Sequence, residues 1–139
     1  MAVSSDRIGK MKEIIFSLAL TGLSFIAAAG ERAFLCEVKN IYALTSGGAI
    51  ETESRPAVPR VGDAFNVDRR TGAVVGERIP VFRPEKFDVL AAGTDGNGFA
   101  LTYSARTRVA FLRIENYRTG QLAPFILQDG IWIATGTCK

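Results

Sequence analysis

FALTYSARTRVAFLRI, residues 99–114, decides the fold. Phe99, Leu101 and Tyr103 recur at every second position. From Arg108 to Tyr117 the alternation resumes, with Val109, Phe111 and Arg113 on one face and Ala110, Leu112 and Ile114 on the other. A period of two is that of a β-strand, whose successive side chains point to opposite faces. Apolar residues on both faces of the second run predict a strand covered from each side, or one that contributes to a partner contact.

The same pattern extends in both directions. Downstream, Tyr117-Arg118-Thr119-Gly120 and Asp129-Gly130 read as turns around strands at 124–127 and 131–137, with Ile131 and Ile133 opposing Trp132 and Ala134 on the last,. Upstream, Gly93 to Gly98 closes a strand at 87–91, and its Asn97-Gly98 step is a hairpin signal,. Asp68-Arg69-Arg70-Thr71-Gly72 turns the chain between Phe65, Val67 and residues 73–75, with Gly72 available for positive φ,. Residues 34–44 predict a first strand with Cys36, Val38 and Tyr42 on one face and Glu37 and Lys39 on the other. Ser46-Gly47-Gly48 leads to a short return strand, and Pro56, Pro59 and Gly62 mark a surface connection,. No helical period is sustained over three turns after residue 29. The expected fold is all-β: a single small antiparallel barrel or sandwich of about seven or eight strands.

Residues 1–29 read differently. Arg7, Lys10 and Lys12 precede an apolar run from Ile14 to Ile26 and then Ala27-Ala28-Ala29, the layout of a secretory signal with cleavage before Gly30,. An uncleaved anchor is the rival, but the run falls short of the roughly 20 residues of a spanning helix and is diluted by Ser17, Thr21, Gly22 and Ser24,. A lipoprotein would want a small residue where Leu35 precedes Cys36. The expected organisation is a cleaved signal at 1–29 and one β domain at 30–139, with no transmembrane segment after cleavage.

The chain has two cysteines, Cys36 and Cys138. In an exported protein such a pair predicts a disulfide. Bonded cysteines need Cα atoms about 4.4–6.8 Å apart, so the first and last strands must be neighbours, which favours a closed or nearly closed meander.

Function is constrained mainly by what is missing. Histidine is absent, which removes Ser-His and Cys-His catalysis and His-ligated zinc or haem. The mature part carries 14 Lys and Arg against 12 Asp and Glu, too even a balance for a nucleic-acid footprint. Gly93 to Gly98 lacks the spacing of a phosphate loop, and Phe99 stands where a calcium loop would need an oxygen,. Paired carboxylates could hydrolyse glycosides without histidine, but Glu51, Glu53, Asp63, Asp68, Glu77, Glu85 and Asp88 sit apart, near turns or among other charges. No catalytic, metal or cofactor residue is therefore expected, a carboxylate-based hydrolase being the enzymatic alternative.

The remaining candidates are polar and aromatic. Arg106, Arg108, Arg113 and Arg118 lie around the long strand with Tyr103 and Tyr117, and Trp132 follows in the last. Together they could make a partner-binding patch, or an ordinary charged face with Trp132 in the core.

Phe65-Asn66-Val67-Asp68-Arg69-Arg70-Thr71-Gly72 and the ending Thr135-Gly136-Thr137-Cys138, with the two-cysteine frame, resemble those of small exported β-rich bacterial proteins of unknown function. That resemblance implies no catalytic residues. The architecture is also similar to that of eight-stranded periplasmic lysozyme inhibitors, whose inhibitory loop has no counterpart here. The functional expectation is a non-enzymatic periplasmic or secreted binding module or accessory subunit, its partner another exported or membrane-associated protein. The alternatives are a small-ligand carrier with a barrel cavity and an inhibitor of a secreted hydrolase.

Overall fold

Alternating apolar residues at 33–44, 64–68, 86–92, 99–105, 108–114, 123–129 and 132–138 all become strands in the computed structural model, which describes residues 33–53, 59–93, 97–115 and 122–139. Among the described residues there are nine strands and no helix: β1 (Ala33–Leu44), β2 (Ile50–Thr52), β3 (Ala64–Asp68), β4 (Val74–Gly76), β5 (Lys86–Ala92), β6 (Phe99–Ala105), β7 (Arg108–Ile114), β8 (Ala123–Asp129) and β9 (Trp132–Cys138). All pairings are antiparallel. Eight strands follow the order β4-β3-β1-β9-β8-β7-β6-β5, and β2 pairs with β1. The expected signal at 1–29, Tyr117 and Arg118 lie outside the described residues.

This sheet curls into a half-barrel. Phe34 on β1 and Phe99 on β6 stand four strands apart in the order, about 19 Å if the sheet were flat at ~4.8 Å per strand. Their ring centroids are 5.3 Å apart. Phe65 on β3 likewise meets Phe125 on β8 edge-on at 5.2 Å. The concave side is thus filled by its own side chains, with Phe65, Phe99, Leu101, Leu112, Ile114 and Leu127 fully buried.

The first and last strands are neighbours, as the cysteines require. Cys36 pairs with Cys138 in the β1–β9 ladder, and the two are joined by a disulfide with both residues fully buried. A disulfide is consistent with an oxidising, exported compartment.

Two β-bulges correct the simple alternation. In β1, Val38 faces Gly136 and Asn40 faces Thr135, leaving Lys39 without a partner. The extra residue reverses the phase: Phe34, Cys36 and Val38 point inward before it, Ile41 and Ala43 after it. Tyr42, expected on the face of Cys36 and Val38, therefore lies on the opposite one. The bulge also divides the outer edge of β1, whose residues 33–37 pair with β3 and 42–44 with β2. Between them Val38 exchanges backbone bonds with Asp63 and Gly62. In β5, Leu90 is the extra residue, so Phe87 and Val89 share a face that Ala91 leaves.

The eight-strand path ends at β4 and β5, and the β3–β4 turn reaches from one end to the other. Asp68 accepts backbone hydrogen bonds from Arg70 and Thr71 at 2.9 and 2.7 Å, and Gly72 takes φ 72°. Arg69 then donates to the Gly93 carbonyl at the end of β5, at 2.9 Å. Gly72 lies so close to β5 that an added Cβ would stand 3.0 Å from the Val89 side chain.

Candidate functional site

Strand register brings two sets of chemically informative residues together, one on each side of the wall. On the concave side, one row crosses the end of the half-barrel: Phe87 pairs with Tyr103, Tyr103 with Ala110, Ala110 with Asp129 and Asp129 with Trp132. Ala110, the small member between Tyr103 and Asp129, is itself buried. Tyr103 is 0 % exposed and Asp129 2 %. Arg108, the first residue of β7, donates from Nε to Asp129 Oδ1 at 2.9 Å. Its guanidinium lies 4.8 Å above the Phe82 ring, and that ring packs 5.3 Å from Tyr103.

Pairing with Arg108 offsets the cost of burying the Asp129 charge, which unpaired would be large. It leaves Asp129 Oδ2 without a protein hydrogen-bond partner, and Tyr103 Oη is in the same position. Burial pushes the Tyr103 phenol well above its ordinary range; negative Asp129 adds to the shift and Arg108 opposes it,. Tyr103 is therefore a neutral hydroxyl at physiological pH.

On the convex side, the reversed phase of β1 assembles an apolar stripe. Tyr42 pairs with Ile133, Ile133 with Gln128 and Gln128 with Phe111. Ile126, 40 % exposed, sits diagonally from both Ile133 and Phe111. Toward the same end as the Tyr103 row, Leu44 donates its backbone N–H to the Ile131 carbonyl, and Leu44, Ile131 and Val109 are 45, 51 and 59 % exposed. Exposed apolar side chains gathered on one face are characteristic of interaction sites.

The expected patch of seven residues divides. Tyr103, Arg108 and Trp132 come together at the concave end, with Trp132 half-buried against the core. Arg106 occupies the β6–β7 turn at φ 45°, its Nε 3.9 Å from the exposed Glu85 carboxylate. Arg113 projects from the convex face, where it bonds Glu115 and borders Ile126. Tyr117 and Arg118 lie outside the described residues.

Asp129 reads in the sequence as half of an Asp-Gly turn. The signal for its inward position is the alternation Ala123, Phe125, Leu127, Asp129, all buried on β8. For the convex stripe the signal is the second apolar face of β7, Val109 and Phe111, whereas nothing in the sequence locates the bulge that turns Tyr42 outward.

Other described carboxylates serve separate structural posts. Asp63 accepts from Arg78 at 2.6 Å and from the Arg60 backbone at 2.7 Å, Asp68 caps its own turn, and Asp88 pairs with Lys86 at 2.9 Å. Comparison with protein-family models, with curated proteins and with solved structures finds no match to this chain.

Proposed function

We propose that the chain is a non-enzymatic binding module of the periplasm or another exported compartment, an accessory subunit whose convex wall docks on a second exported or membrane-associated protein. The observation that carries this reading is the apolar stripe across β1, β9, β8 and β7. Its side chains occupy the outer face of a sheet whose inner face already has a complete core, so they add nothing to that core. A partner that covered them would gain about 25 cal/mol for each Å² of apolar surface removed from water. Arg113 beside the stripe and Gln128 and Thr135 within it supply polar groups that a protein partner can hydrogen-bond.

The distribution of carboxylates supports a binding role over acid-base hydrolysis. The filled interior likewise favours a docking surface over a carrier with a central cavity, since a small barrel leaves room only where side chains do not reach.

Purification of the chain from its native exported fraction, with sizing and identification of co-eluting proteins, tests the proposal. The expected species is larger than the monomer and contains one stoichiometric partner. A strictly monomeric species would contradict it.

A further inference from the structure

We propose that the open edge of β5 is where two copies of this chain associate, strand against strand, antiparallel and centred on Phe87, with Lys86 of each copy opposite Asp88 of the other. This edge is separate from the convex docking face, and the proposal does not rest on that face.

Three observations lead to it. First, β5 ends the strand path and pairs with β6 alone, and the ladder fixes which of its backbone groups are free. Glu115 donates to the Pro124 carbonyl in line with the β7–β8 register. By alternation Phe111 and Arg113 then bond to β8, while Ala110, Leu112 and Ile114 bond to Tyr103, Leu101 and Phe99 of β6,. That leaves Ala100, Thr102 and Ser104 to bond β5, where their partners are Ala91, Asp88 and Lys86. Phe87 and Val89 therefore turn their N–H and C=O groups away from β6. Among the described residues no hydrogen bond reaches these groups from elsewhere. The β3–β4 turn meets their side chains, with Gly72 against Val89 and Leu101, and adds no backbone bond to β5. Free edge groups of this kind are a template for another strand.

Second, the core is incomplete along this edge. Phe99, Leu101 and Tyr103 on β6 are fully buried, whereas Phe87 and Val89 pack against the same core and remain half-buried. A strand laid beside β5 covers what is left of them.

Third, charge selects the occupant and its register. Lys86 and Asp88 meet at 2.9 Å on one face of β5, their side chains 68 and 42 % exposed. For the free groups of Phe87 and Val89 to face each other across a two-fold axis, two β5 strands must be centred on Lys86, Phe87, Asp88 or Val89. Centring on Lys86 or Asp88 sets that residue opposite itself, like charge against like. Centring on Val89 runs the pairing into the Leu90 bulge. Centring on Phe87 makes a bonded Phe87–Phe87 pair flanked by two Lys86–Asp88 pairs of the non-bonded kind, where side chains come closest. Opposite charges across strands stabilise pairing and like charges oppose it, so the segment that complements β5 is β5 itself. The bulge stops the ladder beyond Val89, and a two-fold contact occupies the same edge on both copies, so association closes at the dimer.

The test is sedimentation of the full oxidised domain from micromolar to millimolar concentration, with amide exchange along β5 as a second reading. A single strand edge buries less than the roughly 1,200 Å² of a standard interface, so the expected species is a dimer that dissociates on dilution. Lys86→Asp and Asp88→Lys each set like charges opposite one another and should weaken it about ten- to a hundredfold. Mixing these two variants restores opposite pairs and should yield a heterodimer of near-parental affinity, and the double exchange Lys86→Asp/Asp88→Lys should do so as a homodimer. The Phe87 and Val89 amides should gain protection as concentration rises, while the Asp88 amide, already bonded to β6, should not change. Ile126→Glu/Ile131→Glu on the convex wall should leave the dimer intact, which separates this contact from the convex one. A domain that stays monomeric at millimolar concentration, a dimer indifferent to both single exchanges, or Phe87 protection independent of concentration would each overturn the proposal.

Discussion

Cys36 and Cys138 face each other as a non-hydrogen-bonded pair of the β1–β9 ladder. The next pair outward, Leu35 and Lys139, exchanges both backbone bonds, at 2.9 and 3.0 Å. Antiparallel ladders alternate between bonded and non-bonded pairs, and side chains approach most closely at the latter. The Cα atoms of the two cysteines are 3.9 Å apart, closer than the expected 4.4–6.8 Å, at the kind of pair where the ladder brings the strands nearest.

With a sequence separation of 102 residues, opening this bridge frees nearly the whole domain in the unfolded state. The chain-entropy model puts the loss at about 4–5 kcal/mol. Denaturant unfolding of Cys36→Ala/Cys138→Ala beside the oxidised protein should show a lower midpoint and an unfolding free energy smaller by that amount. An unchanged midpoint would mean the bridge adds nothing to closure.

Gly136 lies two residues from the bridge, opposite the bulge in β1. A Cβ there would come within 2.0 Å of the Glu37 carbonyl oxygen and 2.8 Å of the Phe125 ring. Backbone cannot retreat from that contact without parting β1 from β9. Gly136→Ala should destabilise the fold by about 1–3 kcal/mol or more, read as a lowered melting temperature with the disulfide intact. A melting temperature equal to that of the parent would exclude this close approach.

Asp68 makes the β3–β4 turn sensitive to acid. Backbone and side-chain hydrogen bonds from Thr71, with help from the Arg70 backbone and charge, hold its carboxyl below the usual range,. The sign follows from linkage: a depressed pKa contributes stability that is present above the unfolded value of about 3.8 and lost as pH falls below it toward the folded value,. Stability measured below about pH 4 should fall less steeply in Asp68→Asn than in the parent. The exchange protection of the Gly93 region should weaken over the same range, because Arg69 reaches Gly93 from this turn. Parallel pH profiles for parent and variant would contradict the assignment.

Tyr103 behaves oppositely. Its raised phenol pKa means that the unfolded chain releases this proton at about pH 10 while the folded one holds it. Its contribution to stability is complete below that pH and is lost as pH rises further,. In neutral solution, Tyr103→Phe removes a buried hydroxyl with no protein partner, so the variant should equal or exceed the parent in stability by up to about 1 kcal/mol. It should also lack the parent's alkaline decline. A loss of more than about 2 kcal/mol would show that the hydroxyl has a structural partner.

Much of the fold is legible in the sequence because a single face is buried in most strands. Phe99, Leu101 and Tyr103 announce both the strand and its inner face; the next strand is equally plain, but with apolar residues on both faces only the structure shows that Ala110, Leu112 and Ile114 point inward. The cysteines supply the one long-range constraint, that β1 meets β9. What the alternation cannot show is where an extra residue resets it. Lys39 and Leu90 look like ordinary members of their strands, yet each reverses the side chains that follow. Both candidate sites depend on facts of that kind. The convex stripe needs Tyr42 to face outward after the bulge, and the concave cluster needs register to set Asp129 on the same row as Tyr103.

The docking role proposed for the convex stripe rests on residues whose removal leaves the core intact. Ile126 and Ile131 are exposed, so Ile126→Glu/Ile131→Glu should preserve the melting temperature within about 0.5 kcal/mol equivalent. The decisive measurement is the native mass of this variant recovered from the exported fraction beside the parent. The expected result is a parent assembly with a stoichiometric partner and a variant that is folded, disulfide-bonded and free of the partner. A variant that retains the partner at full stoichiometry would contradict it.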